Sequence, residues 1–378
     1  MASSWIWQQP HWPEFHWKGF ALEPVLEQAR AARQTLLSRL ATLEAPLDRE
    51  AISALLSRES LGTAAIEGEL LDPGQVRSSI ARRLRLPLAD GLPTASAQVE
   101  GLLDVLLEAT STLAAPLTLA TLNHWHQRLF AAGPDGLRAI RIGDLRDDAP
   151  MQVLSGAIGR ERLHFEAPPR DQLEAQLTIF LDWIASPPEP LDGLVRAGLA
   201  HLWFLTLHPY EDGNGRLARA ITDRLLAEAC TAQCQGVLLG RALGISAQIL
   251  REREGYYSAL ERCQRGDLDV TSWLTWFLEQ LSAAAVNNGA VIDAVQRKAA
   301  FWWRHRHSGF NTRQQKLLNR LLDAEPEGFM GGMTLRKAIS LTKVSRATAW
   351  RDLAELVERQ AIEPIGEGRS RAYRLHWD

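Results

Sequence analysis

The densest group of residues that could do chemistry is 208–219, which read His-Pro-Tyr-Glu-Asp-Gly-Asn-Gly-Arg-Leu-Ala-Arg. Gly213 and Gly215 lack the Cβ atoms that would keep a ligand from the backbone, and they tolerate positive φ. A run with helical spacing, 217–229, follows, so free N–H groups and the positive end of a helix dipole should face outward there. These features predict an anion site, most naturally for phosphates.

The charged side chains of this stretch fit a phosphate site. Arg216 and Arg219 each offer a planar fork of donors that suits phosphate oxygens. Asp212, an acid beside a phosphate cradle, is expected to hold a cation, since Mg²⁺ typically bridges one or two carboxylates and substrate phosphates. His208 is the group in this stretch that can take up a proton near neutral pH. Together these residues indicate phosphoryl or nucleotidyl transfer.

A simpler interpretation has to be weighed against a functional site. A Gly-Asn-Gly turn alone is usually only a turn, and a His-Pro pair usually only marks the start of a loop. The complete run from His208 to Arg219 is what favours a site.

The elements that must position this loop are helical. Apolar residues over 194–207 predict a buried helix before the loop, and 217–229 predicts a second helix after it. Further helices are predicted over 22–43, 49–61, 96–110, 117–130, 249–260 and 269–281. His124 and His126 lie on opposite sides of their helix, which is poor metal geometry, so we expect core packing there. The fold is predicted to be mainly α.

With one change, the run 208–219 matches the Fic family signature, His-Pro-Phe-x-Asp/Glu-Gly-Asn-Gly-Arg-x-x-Arg, and the chain resembles that family. The change is Tyr210 for phenylalanine, which keeps the aromatic ring. Fic proteins mostly transfer AMP from ATP to a Ser, Thr or Tyr hydroxyl of a protein. Kinase-like variants carry lysine in place of the second glycine, so Gly215 argues against that branch.

The resemblance implies a role for each signature residue. His208 would be the catalytic base on the target hydroxyl, and Asp212 would be the Mg²⁺ ligand. ATP would be the substrate, with Asn214 and the nearby backbone on its phosphates and the two arginines on the outer ones. A Tyr256-Tyr257 pair downstream would border the adenine. The implied nucleotide-binding residues are Gly213, Asn214, Gly215, Arg216, Arg219 and Tyr257.

A second motif lies upstream, in Thr63-Ala64-Ala65-Ile66-Glu67-Gly68. From the residues alone it reads as a helix end, with Gly68 as the C-cap. It also resembles the Fic inhibitory helix, Ser/Thr-x-x-x-Glu-Gly/Asn. The resemblance implies that Glu67 pairs with Arg219 and blocks the γ-phosphate, since a carboxylate competes with phosphate for one guanidinium. Glu69 departs from the asparagine often found there, so the cap is expected to differ in detail.

Between the helices, 151–155 and 162–165 flank Gly156 and Gly159, which predicts a β-hairpin. It resembles the Fic flap, which aligns a target protein by strand addition, so the target is expected to dock between Val153 and Phe165. A hairpin with no docking role is the alternative.

The N-terminal part of the chain is rich in aromatic residues and then in arginines. Residues 1–20 hold aromatics around Pro10 and Pro13, which favours a short segment pinned onto the helical body over an aromatic ligand patch. Arg82, Arg83 and Arg85 are predicted to form a solvated face, with phosphate or partner contact as the alternative.

The last residues predict a winged helix, with helices 312–322, 335–340 and 345–359 and strands 362–365 and 372–375. Ser345 would be an N-cap, and together with a few neighbours it would face a DNA major groove. The groove-facing set is Ser345, Arg346, Thr348 and Arg351, with Arg369 and Arg371 on the wing. Docking of a protein, or dimerisation, is the alternative to DNA.

Composition sets the outer bounds. The chain has 378 residues, 46% hydrophobic and 23% charged, which is typical of a globular protein of two or three domains. We predict an N-terminal extension (1–94), a Fic core (95–285), a linker helix (286–309) and the winged helix (310–378). A net charge of −3 gives no global attraction to nucleic acid or membrane. Three cysteines without a metal-ligand pattern, no signal peptide and no apolar run of membrane length predict a cytoplasmic protein.

The leading hypothesis is an AMP-transferring enzyme that uses ATP and Mg²⁺ and is inhibited by Glu67. The same site could instead remove AMP or use another nucleotide donor. Two other classes stay open, a DNA-binding regulator whose Fic domain senses nucleotide, and a scaffold. A homodimer is a further expectation, because most soluble oligomers are symmetric dimers.

Overall fold

Helices make up most of the molecule, as the spacing of apolar residues predicted. The computed structural model describes residues 5–87, 93–133, 140–156, 160–187, 191–231 and 241–377. The N-terminal helices are α1 (Gly19–Ala41), α2 (Leu47–Ile66), α3 (Pro73–Leu84), α4 (Ala97–Ser111), α5 (Leu119–Leu129), α6 (Leu173–Ala185) and α7 (Gly193–Leu207). They are followed by α8 (Asn214–Thr231), α9 (Ser246–Arg251), α10 (Arg253–Gln264), α11 (Thr271–Arg304), α12 (Thr312–Leu322), α13 (Leu335–Thr342) and α14 (Arg346–Glu358).

In the described part of the chain, two short antiparallel hairpins accompany the helices. One pairs β1 (Gln152–Ser155) with β2 (Arg162–Glu166), and the other pairs β3 (Ile362–Ile365) with β4 (Ala372–Leu375). The chain divides into two compact units, Met1–Leu43 with Asp48–Asn288, and Glu44–Leu47 with Gly289–Asp378. The predicted limits of four domains stay predictions.

The centre of the first unit is the pair α7 and α8. Every residue of α7 from Leu194 to Leu207 is buried except Arg196, as expected of a helix that is apolar on all sides. Helix α8 packs against α7, and α4 packs against α8. Helix α8 starts before the predicted 217, because Asn214, Gly215 and Arg216 form its first turn without apolar side chains to show the period.

Side-chain caps explain where several helices begin. Asp72, Ser96, Thr118 and Asp192 precede α3, α4, α5 and α7, and each accepts a hydrogen bond from a backbone N–H in the first turn. Such a cap satisfies an N–H that a helix start leaves unpaired and is worth about 1 kcal/mol.

Helix α2 runs past its predicted end at 61 to Ile66, so that Thr63 lies on its last turn and Glu67 directly follows it. Gly68, at φ 85°, then reverses the chain. The Gly68 N–H donates to the Ala65 carbonyl at 3.1 Å, and the Glu69 N–H donates to the Ala64 carbonyl at 3.0 Å. This pair of bonds is a Schellman cap, which confirms the prediction that Gly68 ends the helix.

Two helix predictions need correction. The helix predicted over 249–260 is interrupted at Glu252, where α9 ends and α10 begins. The helix predicted to end near 281 continues as α11 to Arg304, because no proline interrupts the sequence over that span.

The predicted hairpin is confirmed in β1 and β2. Val153 pairs with Phe165, and the register shifts between Val153 and Leu154. Gly156 has φ 107°, and a Cβ there would lie 2.8 Å from the Arg160 carbonyl oxygen, so the turn needs glycine. Gly159, which the sequence also marked, lies outside the described residues.

The N-terminal aromatics are pinned onto this body, as predicted. Trp5 packs edge-on against Phe165 of β2, with ring centroids 5.4 Å apart. The Trp7 indole donates to the Glu166 carbonyl at 2.7 Å. The segment therefore also fastens the hairpin, a role that the sequence did not indicate.

The predicted solvated face of α3 is only partly correct. Arg82 and Arg83 both pair with Glu100 of α4, and Arg83 also pairs with Asp104. The side chain of Arg83 is 23% exposed, because the carboxylates draw it against α4. These arginines stabilise helix packing.

In the second unit, α12, α13 and α14 precede the β3–β4 hairpin, in the order predicted for a winged helix. Both strands have the predicted bounds, and Ile362 pairs with Leu375. Ser345 caps α14 by accepting from the Thr348 N–H at 3.2 Å, as predicted. The core is apolar and is formed by residues such as Leu317, Leu318, Leu321, Leu353, Leu356, Ile362 and Tyr373.

Within the described ranges, no helix is both long and apolar enough to cross a membrane.

Candidate active site

His208 stands at the end of α7 with its imidazole oriented by the backbone. It adopts a left-handed conformation, φ 47°, and its N–H donates to the Phe204 carbonyl at 3.0 Å. Its Nδ1 lies 3.2 Å from the Leu205 carbonyl oxygen. A carbonyl only accepts, so Nδ1 carries the proton and Nε2 presents a lone pair. Burial, with the charge of Arg146 adding to it, lowers the pKa of His208, which keeps the ring neutral and able to act as a base.

Arg146 fixes the backbone on the other side of this histidine. Its Nε donates to the His208 carbonyl at 2.9 Å, and its Nη2 donates to the Pro168 carbonyl at 2.5 Å. The residue is 1% exposed. It therefore ties the start of the loop to the segment that follows β2. In the sequence, Arg146 is only one arginine in the polar stretch 141–148, and nothing there indicates this role.

His126 holds the middle of the loop. Its Nδ1 accepts from the Gly143 N–H at 2.9 Å, so its Nε2 carries the proton and donates to the Asp212 carbonyl at 3.1 Å. The ring stacks on Tyr210 with centroids 4.3 Å apart. Burial lowers the pKa of His126 to about 4, so the ring stays neutral. The prediction of core packing is confirmed for His126, which also supports the site, and is wrong for His124, whose side chain is 54% exposed.

The Asn214 side chain closes the loop on itself. Its side-chain oxygen accepts from the Tyr210 N–H at 3.0 Å, and its amide nitrogen donates to the Tyr210 carbonyl at 2.7 Å. Both polar groups of this buried side chain thus close the loop on itself. Contact of Asn214 with phosphates stays a prediction.

Asp212 is the exposed acid of the loop. Its side chain is 58% exposed, and its Oδ1 accepts from the Gly213 N–H at 2.5 Å. Among the described residues, no cluster of three or more His, Cys, Asp or Glu could hold a metal ion. A single exposed carboxylate beside a helix start fits Mg²⁺ that takes its other oxygens from substrate phosphates and water.

Glu67 and Arg219 meet as the upstream motif implied. The Arg219 Nη2 donates to the Glu67 carboxylate at 2.7 Å, while its Nε donates to the Thr63 hydroxyl at 2.7 Å. A further bond of 3.1 Å joins Nη2 to the Thr63 carbonyl. Partial burial disfavours the ionised acid, but the charge of Arg219 outweighs it and holds the pKa of Glu67 below its ordinary value. The carboxylate is therefore ionised and lies on the guanidinium.

Arg216 is also occupied by an acid. Its Nη1 donates to the Glu69 carboxylate at 2.5 Å, and its guanidinium lies 4.8 Å from the centre of the Phe130 ring. Only 4% of the side chain is exposed. The implied contact of Arg216 with an outer phosphate stays a prediction, and a carboxylate of the chain itself holds that position here.

Tyr257 is 44% exposed on α10, with the Arg253 guanidinium 5.7 Å from its ring centre. Its contact with adenine stays a prediction. The neighbouring Tyr256 is buried, and its hydroxyl lies 2.8 Å from His201 Nε2. Tyr256 is thereby linked to α8, because His201 Nδ1 lies 2.8 Å from the Thr222 hydroxyl of that helix.

The hairpin is exposed along β1, where Val153 and Leu154 are 36% and 50% exposed. Strand β2 is anchored from the other side, because His164 Nδ1 lies 2.7 Å from the Glu261 carboxylate on α10. The hairpin is thus held at β2 and open at β1.

Three family profiles match parts of the chain. The profile of the Fic/DOC family matches residues 116–226, which include the whole loop. A domain of unknown function, DUF4172, matches residues 5–86, and the C-terminal domain of a transcriptional regulator, DIP2311-like, matches residues 329–376.

Similar proteins were found by sequence and by structure. The chain is 33% identical over 104 residues to a protein adenylyltransferase Fic of Nematostella vectensis, covering 27% of this chain and 21% of that one. It is 25% identical over 111 residues to a probable protein adenylyltransferase, aq_aa38, of Aquifex aeolicus (strain VF5), covering 29% of this chain and 30% of that one. The matched part thus spans less than a third of either relative.

A crystal structure of a Fic family protein from Desulfovibrio desulfuricans G20 superposes with a TM-score of 0.50 at 21% identity, covering 93% of this chain and 96% of that one. At this identity the likeness shows the fold. Residues 116–226, which contain the signature loop, thus carry a Fic/DOC family domain in a chain of mainly helical fold.

Proposed function

We propose that this chain transfers AMP from ATP to a Ser, Thr or Tyr hydroxyl of a target protein and restrains itself through Glu67. The observation that carries the proposal is the contact of Glu67 with Arg219, beside a histidine whose Nε2 lone pair is available. A carboxylate of the chain itself that occupies a buried arginine would compete with a phosphate for that arginine, as expected of an autoinhibited phosphate site. Two similar proteins are named as adenylyltransferases, which supports the reaction.

In the proposed reaction, His208 Nε2 takes the proton of the target hydroxyl. The hydroxyl oxygen bonds to the α-phosphorus of ATP, the bond from that phosphorus to the α–β bridging oxygen breaks, and pyrophosphate leaves. The first N–H groups of α8 face the phosphates and stabilise the negative charge that develops there. Mg²⁺, when bound through Asp212, would neutralise part of the phosphate charge.

The target is proposed to dock on β1. An exposed strand edge offers backbone donors and acceptors to an extended segment, and the exposed Val153 and Leu154 offer apolar contacts. His208 lies at the end of α7 and not on the β1–β2 hairpin. A target that docks on β1 can therefore have its hydroxyl oriented without a movement of His208.

The reaction can be tested with ATP labelled on the α-phosphate, Mg²⁺ and a cell lysate. Glu67→Gly should put label on protein, and Glu67→Gly with His208→Ala should put on at least about a hundredfold less. If protein became labelled only with ATP that carries its label on the γ-phosphate, the result would indicate kinase chemistry. No transfer from any nucleoside triphosphate, with ATP still bound, would contradict the proposal and favour removal of AMP or nucleotide sensing.

DNA binding by the second unit is a separate proposal. Arg346 and Arg351 are exposed on α14, and Trp350 between them is 57% exposed. The family match of this region is to a transcriptional regulator. A basic face at the start of an exposed helix suits a phosphate backbone and a major groove. The side chain of Arg369, predicted for the wing, lies outside the described residues.

The full chain should bind a labelled DNA duplex, with affinity falling steeply as salt rises. Arg346→Ala with Arg351→Ala should lower that affinity about tenfold or more. Lys18→Ala, a charge change in the other unit, is the control. Equal binding by all three proteins, or none at low salt, would favour protein docking instead.

A further inference from the structure

The turn after α2 carries two carboxylates, and both reach the signature helix α8. Glu67 accepts from Arg219, and Glu69 accepts from Arg216 at 2.5 Å. The Schellman cap at Gly68 fixes the backbone between them. One turn therefore places an acid on each of the two signature arginines.

Each carboxylate oxygen of Glu69 has a hydrogen-bond partner. While Oε1 accepts from Arg216, Oε2 accepts from the Gln98 amide of α4 at 3.2 Å. The Glu69 side chain is 19% exposed and that of Arg216 is 4% exposed. Arg216 is further confined by Phe130, and its Nη2 lies 3.8 Å from the Asp212 carboxylate. A pair so enclosed is weakly screened, unlike an ion pair on an open surface.

The body of α2 is fixed in the core, so a change at the turn is local. A Cβ on Gly62 would lie 2.8 Å from the Ala247 backbone nitrogen, which shows how closely α2 approaches α9. The buried Glu59 accepts from the Ser246 N–H at 2.9 Å and is also bonded to the Ser246 hydroxyl. Moving the whole helix would break these contacts. We therefore expect release of the arginines to involve the turn 67–69 rather than a shift of the whole helix.

We propose that Glu69 is a second self-inhibitory carboxylate, which occupies the Arg216 fork as Glu67 occupies that of Arg219. The inference rests on the proposed function, in which both arginines serve ATP phosphates. Glu69 excludes phosphate from Arg216, and through Gln98 it holds the turn that presents Glu67. Removing Glu69 should therefore strengthen nucleotide binding even with Glu67 in place.

The test measures binding without turnover, in a His208→Ala background, by calorimetric titration with ATP and Mg²⁺. Glu69→Gln should tighten ATP binding about tenfold, within the usual range for coupled sites. Glu50→Gln, an exposed acid in the first turn of the same helix, is the matched control and should change nothing. ATP binding that is unchanged or weaker in Glu69→Gln would overturn the proposal.

A second variant covers the case in which Glu69→Gln fails to fold. Gln98→Met keeps the side-chain length but removes the amide that holds Oε2, so ATP binding should tighten by a smaller factor. Affinity unchanged in this folded protein would count against the proposal equally.

Inorganic triphosphate, titrated in parallel, probes the arginines without the nucleoside. Triphosphate binding that tightens in Glu69→Gln, with no AMP transfer by Glu67→Gly, would support the second carboxylate and reject the proposed reaction. AMP transfer by Glu67→Gly, without tighter triphosphate binding in Glu69→Gln, would support the proposed reaction and reject the second inhibitory carboxylate.

Discussion

The Glu67 carboxylate fills the space that a side chain at Gly215 would need. A Cβ built on Gly215 would lie 2.1 Å from Glu67 Oε1 and 3.1 Å from Arg219 Nη1. The absence of a side chain at Gly215 therefore leaves room for the Glu67 carboxylate beside Arg219.

Gly215→Ala should destabilise the protein by about 1–3 kcal/mol, the usual cost of overpacking, even though alanine favours a helix by about 1 kcal/mol over glycine. The same change made together with Glu67→Gly should cost much less, because the clashing carboxylate is gone. Denaturant unfolding of the four proteins gives the coupling. An equal loss in both backgrounds would show that Glu67 does not occupy this space.

Arg146→Ala should slow AMP transfer, because the His208 carbonyl and the Pro168 carbonyl lose their shared donor and the base is no longer held. In the Glu67→Gly background we expect a loss of about tenfold to a hundredfold in kcat, with little change in the affinity for ATP. Arg141→Ala, in the same polar stretch but 51% exposed, is the control. Equal rates for both variants would remove the positioning role of Arg146.

His126 predicts a pH dependence of stability. Burial lowers its folded pKa to about 4, so between that pH and the ordinary value near 6.5 the unfolded chain binds the extra proton. Because of His126, the free energy of unfolding therefore decreases as the pH falls through this range, by about 1.4 kcal/mol per pH unit. Glu59 and Asp223, whose pKa values burial raises, act in the opposite sense, so the total slope mixes the groups.

The difference between wild type and His126→Gln isolates this one titration. The substitution should destabilise most above pH 6.5, and the penalty should shrink as the pH is lowered toward 4. Urea unfolding across this range measures it. A penalty independent of pH would mean that His126 does not stay neutral in the fold.

Trp7→Phe should loosen the hairpin without disturbing the nucleotide site. A smaller aromatic ring replaces the indole, and the bond from the indole N–H to the Glu166 carbonyl, worth about 1 kcal/mol, is lost. Amide hydrogen exchange in β2 should quicken by roughly fivefold, while ATP affinity stays the same. Trp303→Phe, 70% exposed in the second unit, is the control. Unchanged exchange in β2 would show that the N-terminal segment does not fasten the hairpin.

The sequence was informative where the signal is contiguous. The loop from His208 to Arg219, the cap at Gly68 and the strands of the wing depend on residues a few positions apart, and turn chemistry or periodicity identifies them. The contact of Glu67 with Arg219 came from the family resemblance, because the two residues are 152 positions apart.

What the sequence did not show are contacts made only by the tertiary fold. Arg146 is 62 positions from the carbonyl it holds, and Glu69 is 147 positions from Arg216. Each is an ordinary charged residue in its local context. The family resemblance assigned Asn214 to the phosphates, and the sequence did not show that its side chain also bonds to the Tyr210 backbone.

The most direct test of the account is the intact mass of purified Glu67→Gly protein after incubation with ATP and Mg²⁺, beside Glu67→Gly with His208→Ala. We predict that the first protein gains the mass of one or more AMP groups on its own hydroxyls, and that the second gains none. An AMP adduct on both proteins would contradict the role of His208. No adduct on either, with ATP bound and labelled lysate proteins also absent, would contradict AMP transfer itself.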